Sequence, residues 1–119
     1  MSVSEAFREQ IRELLADFGS VRFKPMFGAA GVYAGDLIFG LADDDVLWLK
    51  TDEASQPAFR EAGSQPFIYY RDGKPMPMSY WRLPDAALDD PDEAVRWARM
   101  ALEAAHRSAA GKKPKKRKG

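Results

Sequence analysis

Three glycines lie within the stretch KPMFGAAGVYAGD at residues 24–36, and glycine-rich loops are a common means of binding phosphate. A dinucleotide fingerprint needs G-x-G-x-x-G, and a P-loop needs G-x-x-x-x-G-K-[ST], because backbone amides must converge at a helix N-terminus. The spacing here is G-A-A-G-x-x-x-G, and the residues that follow are typical of a strand. We therefore predict a structural role for Met26, Phe27, Gly28 and Gly31, with the glycines permitting a positive φ or a close backbone approach where a strand bends.

No other group of residues has the spacing of a catalytic or metal site. The chain has no cysteine and a single histidine, His106, so thiolate zinc sites and histidine clusters are excluded. The acidic runs at 43–45 and 89–92 lack the D-x-[DN]-x-[DN]-G pattern of a calcium loop, and a hairpin turn and a helix cap explain them. We expect no enzymatic activity, no cofactor and no metal.

Charge is divided unevenly along the chain. The segment KKPKKRK at 112–118 holds six of the 18 basic residues, which leaves 12 Lys and Arg against 18 Asp and Glu in residues 1–111. Like charges at this density repel and have no apolar face to bury, so we predict a folded domain over 1–110 and a disordered basic tail over 111–119. Such a tail can neutralise nucleic-acid phosphates without reading sequence, although a purely solubilising role is equally compatible. The candidate nucleic-acid contacts are Lys112, Lys113, Lys115, Lys116, Arg117 and Lys118.

The hydrophobic pattern predicts the order α-β-β-β-α-β-β-α. Apolar residues recur at helical spacing from Phe7 to Phe18, and GVYA, LIFGLA and VLWLK then give three short strands. A helix with Pro57 in its first turn follows, then a hairpin around Asp72-Gly73, then a last helix that begins near Asp90. Strands and helices do not alternate regularly, so we predict a two-layer α+β fold with a five-stranded antiparallel sheet and helices on one face.

Aromatic residues lie beside arginines on both strands of the predicted second hairpin. These residue types dominate protein-interaction hot spots and also stack on nucleic-acid bases. Packing into the core is the alternative for those that point inward. The candidate partner interface is Tyr69, Tyr70, Arg71, Tyr80, Trp81 and Arg82.

No apolar run approaches the roughly 20 residues that a membrane span needs, and the N-terminus lacks the regions of a signal peptide. We expect a cytoplasmic protein with no membrane partner.

Several blocks of the sequence resemble the N-terminal domain of the TfoX/Sxy family. They are MFGAAGVY at 26–33, LIFGLADDDVLWLKTD at 37–52, GSQPFIYY at 63–70, MSYWRLP at 78–84 and DPDEAVRWARMAL at 90–102. The family usually reads MFGG where this chain has Ala29, and its longer members carry a second, helical domain where this chain has its lysine-rich tail. The resemblance implies a five-stranded α+β domain and a non-enzymatic role in regulating natural competence genes, with the cyclic AMP receptor protein at promoters.

The sequence leads to two hypotheses for the function of the protein, and they belong to different classes. The first is a regulatory or adaptor protein that binds a protein partner, such as a transcription factor or polymerase-associated protein, or itself as a homodimer, through the sheet and the aromatic hairpin. The alternative is a weak, non-sequence-specific DNA or RNA binder acting through the basic tail. A small-ligand or enzymatic pocket between helices and sheet is a third reading.

Overall fold

A computed structural model of the chain describes residues 4–26 and 28–118, with side chains up to residue 110. The strands form one antiparallel sheet in the order β1-β2-β3-β4-β6-β5, and a short 3-10 turn precedes the last helix. The helices are α1 (Glu5–Leu14), α2 (Gln56–Glu61) and α3 (Pro91–Lys118). The strands are β1 (Arg22–Met26), β2 (Ala29–Ala34), β3 (Leu37–Asp43), β4 (Val46–Lys50), β5 (Pro66–Arg71) and β6 (Lys74–Arg82).

The α+β class with an antiparallel sheet is confirmed, but the prediction of five strands is wrong, because the sheet has six. The additional strand is β1, whose sequence RFKPM has neither an apolar run nor a clean alternation. Its Pro25 also argues against a strand, since proline cannot donate to a ladder. An edge strand tolerates proline, and β1 pairs with β2 alone, with Pro25 opposite Ala30. The order is therefore α-β-β-β-β-α-β-β-α.

Tight turns join the hairpins where the sequence indicated them. Asp44 and Asp45 have φ values of 52° and 60°, and Asp72 and Gly73 have 52° and 78°. Positive φ at both central residues is typical of the two-residue turn that matches the twist of a hairpin. The 43–45 aspartates therefore serve a turn, and no group of three His, Cys, Asp or Glu able to hold a metal occurs in the described part of the chain.

All three helices cover one face of the sheet. The long helix α3 lies against β3 and β4 and buries five alanines, whose small side chains let the helix approach the larger residues of the sheet closely. Phe59 of α2 contacts Trp97 with ring centroids 4.6 Å apart. The buried alanines of α3 are Ala94, Ala98, Ala101, Ala104 and Ala105.

A bidentate ion pair anchors α3 beside the base of the β5–β6 hairpin. Arg107 Nε lies 2.6 Å from Asp52 Oδ2, and Arg107 Nη2 lies 3.0 Å from Asp52 Oδ1. The hydrogen bond from Arg107, with further help from Ser55, lowers the pKa of Asp52 from 3.8 to about 2. The preceding residue, Thr51, is buried and donates its hydroxyl to the carbonyl oxygen of Ser79 in β6. These contacts fix where the hairpin leaves the body of the domain.

None of the helices in the described part of the chain combines the length and the hydropathy that crossing a bilayer requires.

Candidate protein-interaction surface

The sheet face away from the helices is concave and carries an apolar cavity of about 440 Å³, which we call the open-face groove. Met26 of β1 and Phe67 of β5 both line it, although these strands stand at opposite ends of the sheet. The sheet must therefore curl, and a β-bulge in the β2–β3 pair contributes the bend. The apolar lining is Met26, Ala29, Leu41, Phe67, Met78 and Tyr80, and Asp43, Tyr69 and Arg71 complete the lining.

Strand alternation places these side chains on one face. Successive residues of a strand point to opposite faces, so Phe67, Tyr69 and Arg71 of β5 share the open face. Met78 and Tyr80 of β6 meet them from the neighbouring strand. The hairpin predicted from the sequence thus forms one wall of the groove.

The groove is suited to burying apolar groups rather than to moving protons. Burial, followed by the neighbouring Tyr33, raises the pKa of Tyr80, so its phenol stays protonated at neutral pH. The charged residues in the described lining of the groove are Asp43 and Arg71. A cavity of this size, within the roughly 300–1,000 Å³ range of binding pockets, accepts a few apolar side chains or a small molecule.

The six candidate interface residues separate into distinct places. Tyr69 and Tyr70 are 49% and 65% exposed and stand on the two faces of the hairpin, with Tyr69 and Arg71 on the groove side. Tyr80 lies in the groove. Trp81 points to the opposite face and is 7% exposed, in the core beside Phe59. Arg82 is exposed and lies 3.7 Å from Asp85.

Exposed apolar side chains concentrate on the β5–β6 hairpin. Ile68, Tyr69, Tyr70 and Met76 are four of the five exposed large hydrophobic residues in the described part of the chain. The hairpin projects past its neighbour, because β4 pairs only with residues 80–82 of β6. Exposed apolar side chains concentrated on one hairpin, here on both of its faces, are typical of interaction sites in soluble proteins.

The glycine-rich stretch forms the β1–β2 hairpin. Gly28 lies at its turn with φ +80°, and Phe27 lies outside the described residues. Gly31 lies within β2, where an added Cβ would stand 3.0 Å from Ile38 Cδ1 and from Tyr33 Cε1. Met26 pairs with Ala29 across the turn. The stretch leads into a strand, without the helix N-terminus that a phosphate loop needs.

The basic tail lies beyond the described side chains. Helix α3 extends to Lys118, and for residues 111–118 the structure describes the backbone alone. The six candidate nucleic-acid contacts at 112–118 and the domain boundary at 110 stay predictions.

Comparison with known proteins places the fold in a family. The family model of the TfoX N-terminal domain matches residues 13–105. The chain belongs to this family. The TfoX N-terminal domain includes every residue that lines the groove and the whole β5–β6 hairpin, whereas the basic tail falls outside the match.

A curated relative supports the same assignment. Protein Sxy of Escherichia coli (strain K12) is 23% identical over 105 residues, which cover 88% of this chain and 49% of Sxy. The chain therefore spans about half the length of the curated relative that it matches.

Several groove residues were not anticipated from the sequence. The alternation of Phe67, Tyr69 and Arg71 could have placed them on one face. Leu41 could not have been placed, because the bulge at the β2–β3 pair changes which β3 residues face the groove.

Proposed function

We propose that this TfoX N-terminal domain protein is a non-enzymatic regulator of the competence or transcription type that acts by binding a protein partner in the open-face groove. The family supports the regulatory class. The observation that carries the binding mode is the apolar groove on the helix-free face, flanked by the projecting hairpin.

The partner supplies apolar side chains to the groove. Met26 and Met78 give its lining a flexible surface that adapts to the shape of an incoming side chain. Phe67 and Tyr80 add aromatic area, which carries much of the energy at protein interfaces. Asp43 and Arg71 offer one charge of each sign in the lining, which fixes the orientation of the bound segment.

This mode requires neither a catalytic residue nor a cofactor. The partner is a protein of the transcription machinery, a transcription factor or a polymerase-associated protein, that presents an amphipathic segment. Binding energy then comes from removing apolar surface of both proteins from water, at roughly 25 cal/mol per Å² before the costs of association.

The experiment replaces the chromosomal gene with variants and measures both captured proteins and transcripts. Met78→Lys puts a charge into the groove, whereas Leu88→Lys puts the same charge at an exposed apolar residue away from the groove and the hairpin. Circular dichroism melting first establishes that both variants fold. We expect Met78→Lys to lose a partner that the wild type retains and to reproduce the transcript changes of a gene deletion, while Leu88→Lys behaves as wild type.

Two results would contradict the proposal. One is a deletion that changes no transcripts. The other is a folded Met78→Lys protein that captures the same partner and supports the same transcripts as the wild type.

A further inference from the structure

The outer edge of β5 presents the backbone groups of Ile68 and Tyr70. Asp72 and Gly73 form a two-residue turn, so the flanking pair Arg71–Lys74 exchanges hydrogen bonds, and opposite pairs then alternate along the ladder. By this alternation Tyr70 and Ile68, which stand opposite Pro75 and Pro77, direct their N–H and C=O groups away from β6.

The prolines of β6 independently support this assignment of which backbone groups point away from the paired strand. Proline has no N–H, so it fits a ladder only where its nitrogen faces away from the paired strand. Pro75 and Pro77 stand at the two positions where the count from the turn predicts such an orientation. Both lie in the part of β6 that β4 does not cover, since β4 pairs only with residues 80–82.

Prolines thus block the other free edges of the described sheet. Pro75 and Pro77 face the outer side of β6, and the same count from the β1–β2 turn places the nitrogen of Pro25 on the outer side of β1, beside Lys24. Lysines and prolines on an edge are the usual protection against unwanted strand pairing. After Pro66 at its start, β5 has neither residue type.

We propose that β5 pairs antiparallel with β5 of a second copy of the chain, around a two-fold axis at Tyr69. The inference deepens the proposed function, because it gives the hairpin that flanks the groove a defined partner. One antiparallel sheet then runs through both copies.

The side chains of β5 are complementary to themselves in this register. Ile68 stands opposite Tyr70 of the second copy, and because the two-fold repeats this pair, the edges exchange about four backbone hydrogen bonds. Tyr69 meets Tyr69 of the second copy on the open face, and Phe67 meets Arg71 in a cation–π arrangement. No like charges stand opposite one another along Pro66–Arg71.

Other registers are weaker. A shift by one residue places Tyr70 of one copy opposite Tyr69 of the other, and these two side chains point to opposite faces of the sheet. A shift that centres the axis on Ile68 pairs Tyr70 with Pro66, which has no N–H to donate. The register centred on Tyr69 keeps both faces of the sheet continuous. It also uses the outward N–H groups of Ile68 and Tyr70, and Pro66 has no N–H to leave unpaired.

The expected dimer is weak and depends on concentration. A strand of six residues is about 20 Å long, and the side chains covered with it are chiefly Ile68, Tyr69 and Tyr70, which are 37%, 49% and 65% exposed. Such an interface falls in the small class, below about 1,200 Å², that is typical of transient complexes. The two-fold axis leaves both open-face grooves on the same side, so a dimer would present two partner sites.

Sedimentation velocity on the full chain from about 1 to about 300 µM tests the pairing. Tyr70→Pro gives β5 the protection that Pro75 gives β6, because it removes an outward N–H together with the tyrosine side chain and leaves the hydrogen bonds to β6 in place. Ile68→Lys with Tyr70→Lys is the second variant, since it opposes like charges across the axis. Leu88→Lys changes an exposed apolar residue away from the hairpin and serves as the control.

We expect the wild type and Leu88→Lys to shift from monomer to dimer over this range, and both edge variants to stay monomeric while circular dichroism melting shows them folded. A wild type that is monomeric throughout overturns the proposal. So does a dimer that survives in both edge variants, because it must then use another surface. If one edge variant does not fold, the other decides.

The two proposals fail separately. If the wild type dimerises through β5 but Met78→Lys captures the same partner as wild type, the groove proposal fails and the pairing stands. If the wild type is monomeric but Met78→Lys loses its partner, the pairing fails and the groove proposal stands.

Discussion

The β1–β2 and β5–β6 hairpins stand at opposite ends of the sheet, and each turns through two residues. At the β1 end, Phe23 packs against the core and Arg12 of α1 lies 5.1 Å from its ring centroid. At the β5 end, Ile68 and Tyr70 are exposed, and the hairpin extends past β4. The same local motif is therefore built into the domain at one end and left free at the other.

The difference between the two hairpins shows how an edge is kept closed or left open for contacts. Pro25 removes an outward N–H from the β1 edge and Phe23 packs against the core, so the outer edge of β1 offers little for strand pairing, while Met26 lines the open-face groove. The β5 edge keeps its hydrogen-bonding groups and its exposed aromatic residues together. We interpret the outer edge of the first hairpin as part of the scaffold and the second hairpin as the contact region, through which the protein associates.

The largest expected difference is in stability. Phe39 is fully buried, with its ring centroid 5.0 Å from that of Phe18, so Phe39→Ala should lower the free energy of unfolding by about 3–5 kcal/mol. Tyr70→Ala, at the free end, should change it by no more than about 0.5 kcal/mol. Urea denaturation of the dilute protein measures both values. A loss of several kcal/mol in Tyr70→Ala would mean that the hairpin belongs to the core.

A matched pair of turn variants sharpens the comparison. Gly28 and Gly73 have φ values of +80° and +78°, and alanine at either position costs about 1 kcal/mol of backbone strain. We expect Gly28→Ala to lower the global melting temperature, because its hairpin is packed into the domain.

Gly73→Ala should act locally instead. Its effect should appear as faster amide exchange in β5 and β6, with a smaller change in the melting temperature. Equal shifts in melting temperature for the two variants would contradict the difference between the hairpins.

The smallest effect concerns the base of the free hairpin at low pH. Because the folded pKa of Asp52 is about 2 and its ordinary value is 3.8, its ion pair stabilises the fold above pH 3.8. That contribution is lost as the pH falls from about 4 to about 2, and for a partly exposed pair it amounts to about 1 kcal/mol or less. Asp52→Asn should be less stable than wild type at pH 7 and should lose less stability across this range.

Urea denaturation at pH 7, 4 and 2 measures the difference, and Asp36→Asn is the control, since Asp36 is fully exposed and stands 3.7 Å from Arg22. If Asp52→Asn and wild type lost the same stability between pH 4 and pH 2, the ion pair would not anchor α3 there.

Local sequence patterns predicted much of the scaffold. The Asp72-Gly73 turn and the last helix after Asp90 follow from residue types with well-defined backbone preferences. Strand β1 was missed because Pro25 contradicts the usual strand pattern, and only its place at an edge makes it acceptable.

The groove could not be predicted in the same way. It depends on the curl of the whole sheet, which brings Met26 and Phe67 to one cavity from strands at opposite ends. Which faces Tyr80 and Trp81 occupy likewise depends on the register of β6 against its neighbours. The irregular pairing at the start of β5 prevents that register from being counted from the turn.

The most direct test of the contact region is amide hydrogen exchange followed residue by residue by NMR, in dilute and in concentrated protein. We predict that protection of the Ile68 and Tyr70 amides rises with concentration while the amides of β1 are unchanged. Protection that stays constant along β5, or that rises along β1 instead, would contradict the assignment of the β5–β6 hairpin as the surface through which the protein associates.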